Sequence, residues 1–229
     1  INILSFKMPK RMQRKRNARR HKRRSMGPNM VKSVSSPIPD RYMVKLKYAD
    51  TIALTSAATP VAHLFRTNSL FDPDYTGVGH QPYGYDQLTP LYSQYRVFGI
   101  SYKITFTNIS SGPMDVAVVL KSVVALSTVW NTIEEKPYVK VRHLAMPTAG
   151  GSIQVIKGYV SNPKLLGITK EQYRTNTLYQ GTATANPLES GYLHIYADQP
   201  GGTTGLTVYA NVELHYFAVF HGRIPLTGS

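Results

Sequence analysis

Hydrophobic and polar positions alternate along much of this chain. In 42–56, Tyr42, Val44, Leu46 and Tyr48 share one face while Met43, Lys45 and Lys47 share the other. That period of two is the mark of a half-buried strand. A short strand follows over 61–67. The plainest strand pattern is 95–108 (YRVFGISYKITFTN), and 114–126 is almost continuously apolar, as for a strand covered on both faces. Further strand-like segments occupy 138–145, 152–160, 191–197 and 206–221. Between them, 68–85 carries DPD, TGVGH and PYG, residues 110–113 form a Ser-Ser-Gly-Pro turn, and 161–188 is long and polar. Short helical turns are expected within 86–95, where Pro90 limits the length, within 131–137, and near 169–173. Sustained helical periodicity is absent. About eight strands with loops of very unequal length predict an all-β fold, a single eight-stranded antiparallel jelly-roll sandwich of two facing sheets. An immunoglobulin-type sandwich spaces its strands more evenly and usually buries a cysteine pair. A lipocalin-like barrel shows regular hairpins with short turns.

The charge changes the picture at one end only. The 229 residues carry a formal net charge of +15. Eleven cations fall between Lys7 and Arg24: Lys7, Lys10, Arg11, Arg14, Lys15, Arg16, Arg19, Arg20, Lys22, Arg23 and Arg24. No acid precedes Asp40. The other sixteen Lys and Arg, set against twelve Asp and Glu, leave a remainder of only +4. Such a run buries no apolar surface that could offset its ordering entropy, so a disordered basic N-terminal arm is expected until it meets a polyanion. Arginine outnumbers lysine in it, which favours bidentate contacts with phosphate. Counterion release then gives strong, sequence-independent affinity for nucleic acid. No aromatic interrupts the run after Phe6, so base stacking is not its mode. The same cationic surface also serves as a nuclear localisation signal, and the charge run alone does not separate the two tasks. It has no apolar face for lying on a membrane. Residues 25–39 (SMGPNMVKSVSSPIP) read as a linker, which divides the chain into an arm and linker over 1–39 and a β-domain over 40–229. Ile1 is no ordinary translation start, and Met8, opening MPKRMQRKR, is the candidate initiator.

Composition excludes several chemistries. There are no cysteines, so disulfides, thiolate metal sites and cysteine nucleophiles are ruled out. No run of about 18 apolar residues exists, so membrane insertion is not expected, and no secretory signal is visible. Charged residues make up 17%, against about 25% in an ordinary soluble domain, which suggests a surface covered by partners or one built of Ser, Thr and Asn. Asp72, Asp74 and Asp86 share a loop with His80 and supply oxygens of the kind Ca²⁺ takes. EF-hand spacing is missing and Asp-Pro-Asp is ordinary turn chemistry, so a structural loop without metal is expected. TGVGH lacks the Lys-Ser/Thr pair and following helix of a phosphate loop. Its glycines are expected to permit positive φ or the close approach of a neighbouring chain. The histidines (His21, His63, His80, His143, His194, His215 and His221) match no zinc spacing, and there is no GxSxG elbow. No catalytic residue, metal or cofactor is therefore expected. Lys121, Lys136, Lys140, Arg142 and Lys157 are body cations that either add to a nucleic-acid patch or sit on a solvated strand face.

The block 68–108 carries a resemblance. Phe71 to Gln87 has the form FDPD–TG–GHQP–G–DQ, followed by Tyr92, Tyr95, Val97, Gly99, Lys103 and Phe106 in a Y–Y–V–G–K–F pattern. The PIPD turn at Pro37 to Asp40, KGYVSNPKLLG at Lys157 to Gly167 and FHGRIP at Phe220 to Pro225 also fit. The chain resembles the capsid proteins of small circular, Rep-encoding single-stranded DNA viruses (circovirus-like). The resemblance covers most of 37–225, strongly in the first block and more loosely afterwards. It implies a structural protein, not an enzyme. Its partners are then viral single-stranded DNA, bound by the arm, and further copies of itself in an icosahedral homo-oligomer of about sixty subunits. It also implies location in the virion and, during infection, the host nucleus, reached through host import machinery. The host receptor is not implied. Two other readings fit a basic tail on a β-domain: a cellular, ribosomal-like nucleic-acid-binding protein and a jelly-roll glycan-binding module. A ribosomal protein normally spreads its cations through the body, and a lectin has no use for eleven clustered ones.

Overall fold

The computed structural model describes residues 37–202 and 205–226. The basic run and the expected disorder of its residues lie outside that range. Among the described residues there are nine strands: β1 (Arg41–Ser56), β2 (Val61–Arg66), β3 (Tyr92–Asn108), β4 (Met114–Lys121), β5 (Lys140–Leu144), β6 (Ile153–Ser161), β7 (Gly181–Thr182), β8 (Tyr192–Asp198) and β9 (Leu206–Arg223). One sheet has the order β1-β9-β3-β6, with the two-residue β7 beside the start of β3; the other has the order β2-β8-β4-β5. Every ladder is antiparallel. β7 aside, β1 pairs β9, β2 pairs β8, β3 pairs β6 and β4 pairs β5. The chain is therefore one long hairpin wound into two sheets, which closes when β9 meets β3 and β8 meets β4. That is the eight-strand jelly roll the periodicity predicts.

The alternation read from the sequence is realised at the core. Along β1, Leu46, Tyr48, Ile52 and Leu54 point inward, while Met43 is 81% exposed. Val208, Ala210, Val212, Leu214 and Tyr216 of β9 meet Val116, Val118, Leu193 and Ile195 of the opposite sheet in one cluster. Each large aliphatic or aromatic side chain buried there contributes roughly 1.5–3 kcal/mol relative to exposure. β4 is covered on both faces because Ala117 and Val119 pack with Tyr196 and Ile133 beneath a helical turn, α2 (Trp130–Glu134). The other short helices, α1 (Tyr85–Leu88), α3 (Asn162–Leu165) and α4 (Lys170–Thr175), sit in the connections. α4 begins at a capping box in which Thr169 and Gln172 bond each other's backbone N–H.

Two expectations need correction. The apolar run 114–126 is a strand only to Lys121, and Val123, Val124 and Leu126 are 55%, 38% and 55% exposed. Beyond Lys121 the backbone leaves the ladder for side-chain partners. The Val123 carbonyl accepts from His194 Nε2 (3.0 Å), the Ala125 carbonyl accepts from Lys121 Nζ (2.9 Å), and Ser127 N–H donates to Tyr196 Oη (3.2 Å). Second, β3 starts at Tyr92, three residues early, and its register slips between Val97 and Gly99. This bulge frees the Val97 carbonyl, which accepts from Tyr173 Oη (2.6 Å) and Asn162 Nδ2 (2.8 Å). Gly99 is required there: a Cβ would stand 2.6 Å from the Val160 carbonyl oxygen.

Candidate nucleic-acid interface

The eleven arm cations lie outside the described residues. Residues 38–40, which lead into β1, are well anchored. Tyr92 Oη donates to the Pro39 carbonyl (2.8 Å), and Arg223 Nη1 donates to the Ile38 carbonyl (3.1 Å) while facing Asp40 at 3.5 Å. β1 then sets Lys45 and Lys47 on the outer face of its sheet, the consequence of the alternation that sends Leu46 inward. β3 adds Lys103 to that face and β6 adds Lys157, directly paired with it in the ladder. β9 supplies one acid, Glu213, held by Lys47 (3.1 Å) and Lys103 (2.9 Å). The two ammonium groups pull its carboxyl down to about 2. Both lysines are about half exposed, so the trio is screened and adds little stability. With its one acid doubly paired, the face stays positive.

The five body cations singled out from the sequence do not form one patch. Lys140 Nζ donates to the Lys157 carbonyl (2.6 Å) where the edges β5 and β6 adjoin, and Arg142 follows on β5. Lys121 and Lys136 line a separate hollow beside the 120–138 segment. Sequence reasoning passed over Lys45, Lys47 and Lys103, although the period-two pattern already placed the first two on the polar face.

The acidic loop is structural in its contacts. Asp72 takes Arg66 Nη1 at 2.8 Å. The nearly buried Asp74 takes His63 Nε2 at 3.1 Å, together with Thr76 N–H and Oγ1 at 2.9 and 2.8 Å. Asp86 stands apart in α1, and His80 stacks on Tyr48 with ring centroids 4.5 Å apart. Among the described residues, no three His, Asp or Glu converge as metal ligands do. Gly77 has φ +78°, and a Cβ on Gly79 would stand 2.7 Å from Asp74 Cβ. The close approach that Gly79 permits is made to this chain's own Asp74 and Tyr48 side chains.

The histidines split by environment. His143 on β5 is exposed and meets Asp115 at 2.6 Å, which raises its pKa by hydrogen bond and charge. His194 on β8 is fully buried, with Nε2 on the Val123 carbonyl and Nδ1 3.4 Å from Tyr196 Oη. Burial, helped by the Lys121 charge, pulls His194 down from 6.5 to about 4. Unfolding restores the ordinary value. Between about pH 6.5 and 4 the unfolded chain therefore binds a proton that the folded chain refuses, and stability falls as pH falls. The loss attributable to His194 approaches about 3 kcal/mol at the acid end. His215 and His221, also lowered by burial, act in the same direction, and His143 acts in the opposite one. Urea unfolding at pH 7 and pH 4.5 checks this. The parent chain should lose more stability between the two than His194→Gln, and equal losses would show that the buried imidazole is not the cause.

No protein-family model and no curated protein matches the chain. Among solved structures it is similar to that of Desmodium yellow mottle tymovirus, at 13% identity over 86% of this chain and 97% of that one, with a TM-score of 0.42. It is also similar to that of Cocksfoot mottle virus, at 11% identity over 80% and 97%, with a TM-score of 0.44. A third similar structure is the BFDV capsid protein crystallised as a decamer, at 12% identity over 79% and 99%, with a TM-score of 0.42.

Proposed function

We propose that this chain is a structural capsid subunit: its jelly roll builds a closed icosahedral shell, and its arm gathers single-stranded DNA inside it. The observation that carries this reading is the segregation of charge, eleven cations within Lys7 to Arg24 against +4 for all the rest. A nearly neutral body tolerates close packing against copies of itself, whereas the arm requires a polyanion. The hairpin-wound sandwich supports the same reading, because it offers long loops at its corners for contacts between subunits. Val78, Tyr83 and Leu188 are 86%, 91% and 82% exposed on such loops, apolar surface that assembly would cover. The circovirus-like sequence blocks supply the kind of genome, a small circular single strand, and the virion as the place of work. The arm also carries the chain to the host nucleus, since import receptors read the same cluster of Arg and Lys. The role requires no catalytic step.

Electron microscopy of the purified full-length chain tests the reading. Closed shells of one diameter, containing nucleic acid, are the expected result. A chain that stays monomeric at high concentration with single-stranded DNA present would end the proposal.

A further inference from the structure

The outer face of the first sheet holds a groove of about 840 Å³ at the end where β1 begins. That volume lies within the range of ordinary ligand sites. Its walls carry Arg41, Lys45, Arg96 and Arg174, two aromatic rings, Phe98 and Phe217, and no acid. Among the described residues none of the four cations has a carboxylate partner. Arg96 is the most telling of them. It is only 5% exposed, yet its guanidinium is held by neutral groups alone: the carbonyls of Tyr173 and Asn176 (2.8 Å to the latter) and Gln180 Oε1 (3.0 Å). A buried charge without a counter-ion is costly, and its own solvation is served here by dipoles that do not cancel it. His221, beside Arg96 and Arg41, senses the resulting potential, since burial and these two cations together hold its pKa below the usual value.

The aromatic rings are placed for contact with something planar. Phe217 is 37% exposed, with Lys45 Nζ 5.5 Å from its centroid and Tyr159 edge-on at 5.9 Å. Its ladder partner across β3 is Gly99, so no side chain from that strand covers it. Arg174 lies 5.8 Å from the centre of Phe98. Cations interleaved with part-exposed rings are how proteins hold single strands: phosphates meet the charges and unpaired bases lie on the rings. A duplex hides its base faces and gains only the first of these. A lipid headgroup would use the charge and leave the rings idle.

We infer that this groove is a second nucleic-acid contact, built into the β-domain, that holds a short stretch of single strand with Arg41, Lys45 and Arg174 on the phosphates and a base against Phe217. The inference rests on the proposed genome-binding role but uses different chemistry. The arm responds to charge alone, whereas the groove distinguishes an exposed base from its absence.

The test uses the full-length chain and two oligomers of equal length and charge, one of deoxythymidine and one of abasic deoxyribose phosphate. The arm binds both equally. The groove should favour the first by roughly 5- to 160-fold, the value of one stacked base. Phe217→Leu keeps an apolar side chain on the outer face and should remove that preference while leaving abasic binding and its salt dependence unchanged. Arg174→Gln should weaken both oligomers modestly. Equal affinity of the parent chain for the two oligomers overturns the groove, as does a preference that survives Phe217→Leu. A thymidine preference that disappears in Phe217→Leu, found together with weak abasic binding whose salt slope is only about −2, that of three phosphate contacts, would uphold the groove and defeat the arm.

Discussion

Exchanging six of the eleven arm cations for Gln should roughly halve the nucleic acid carried by each particle and leave the β-domain folded. The reason is electrostatic confinement. Phosphates packed into a closed volume repel one another unless each is met by a counter-charge, and every unmet charge raises the cost of closure. In the proposed shell of about sixty copies, eleven cations per arm supply about 660 positive charges. With small counterions and the positive sheet face added, a strand on the order of 1,000–2,000 nucleotides is a comfortable load, and one of about 10,000 is not. The same count predicts the solution behaviour. For single strands each neutralised phosphate adds about −0.7 to the slope of log affinity against log salt, so the parent slope should approach −8 and that of the six-fold variant about −3.5. Ultraviolet absorbance of purified particles measures the load, and titration at several salt concentrations measures the slope. Constant content across a series of arm charges would mean that packaging answers to something else.

Tyr95→Phe should lower stability by about 2–6 kcal/mol, a large effect for the loss of one oxygen. Tyr95 Oη accepts from the backbone N–H of Leu70 and of Phe71, both at 3.1 Å, and lies 3.2 Å from Ser69 Oγ. Tyr95 and Leu70 are essentially without solvent exposure. Removing the hydroxyl leaves one buried donor, Leu70 N–H, and one part-buried donor, Phe71 N–H, unanswered, each costing up to about 1–3 kcal/mol. Tm should drop by roughly 5–20 °C for a domain of this size. The loss should also be local. The segment 68–91 rests on that hydroxyl and, through Asp72, on Arg66, so limited proteolysis should cut there first. A Tm within about 2 °C of the parent, with an unchanged cleavage pattern, would refute this account. Gly181→Ala approaches the same ring from the other side, since its Cβ would stand 2.2 Å from Tyr95 Cζ.

What the sequence could reveal divides along the reach of the interactions. β1 and β9 were legible because their inward residues recur every second position and nothing outside the strand alters that pattern. The short helical turn near 169–173 was legible too, and what holds it, the pairing of Thr169 with Gln172, lies within one turn. The end of β4 was not. Ser122 to Leu126 has the composition of a strand, and its departure is set by His194, Lys121 and Tyr196, two of them about seventy residues away. The bulge at Val97 was equally hidden, because its carbonyl is claimed by Asn162 and Tyr173. In the interface, the arm was visible as a charge run. The groove was not, because Arg41, Arg96, Arg174 and Phe217 come from four separate elements and converge only when β9 lies between β1 and β3.

That placement of β9 also bears on how the chain reaches its fold. β9 is an interior strand of one sheet and β8 an interior strand of the other, and both lie within the stretch from Tyr192 to Arg223. While the ribosome is still working through the first 190 residues, each sheet lacks one of its two interior strands, and β1 waits for a partner about 165 residues downstream. The β3–β6 and β4–β5 ladders are complete earlier, but β8 and β9 are still needed to fill the core between the sheets. The core should close as a single late event after Arg223 has emerged, on the slow, millisecond-to-second side of folding times for pairings of such long range.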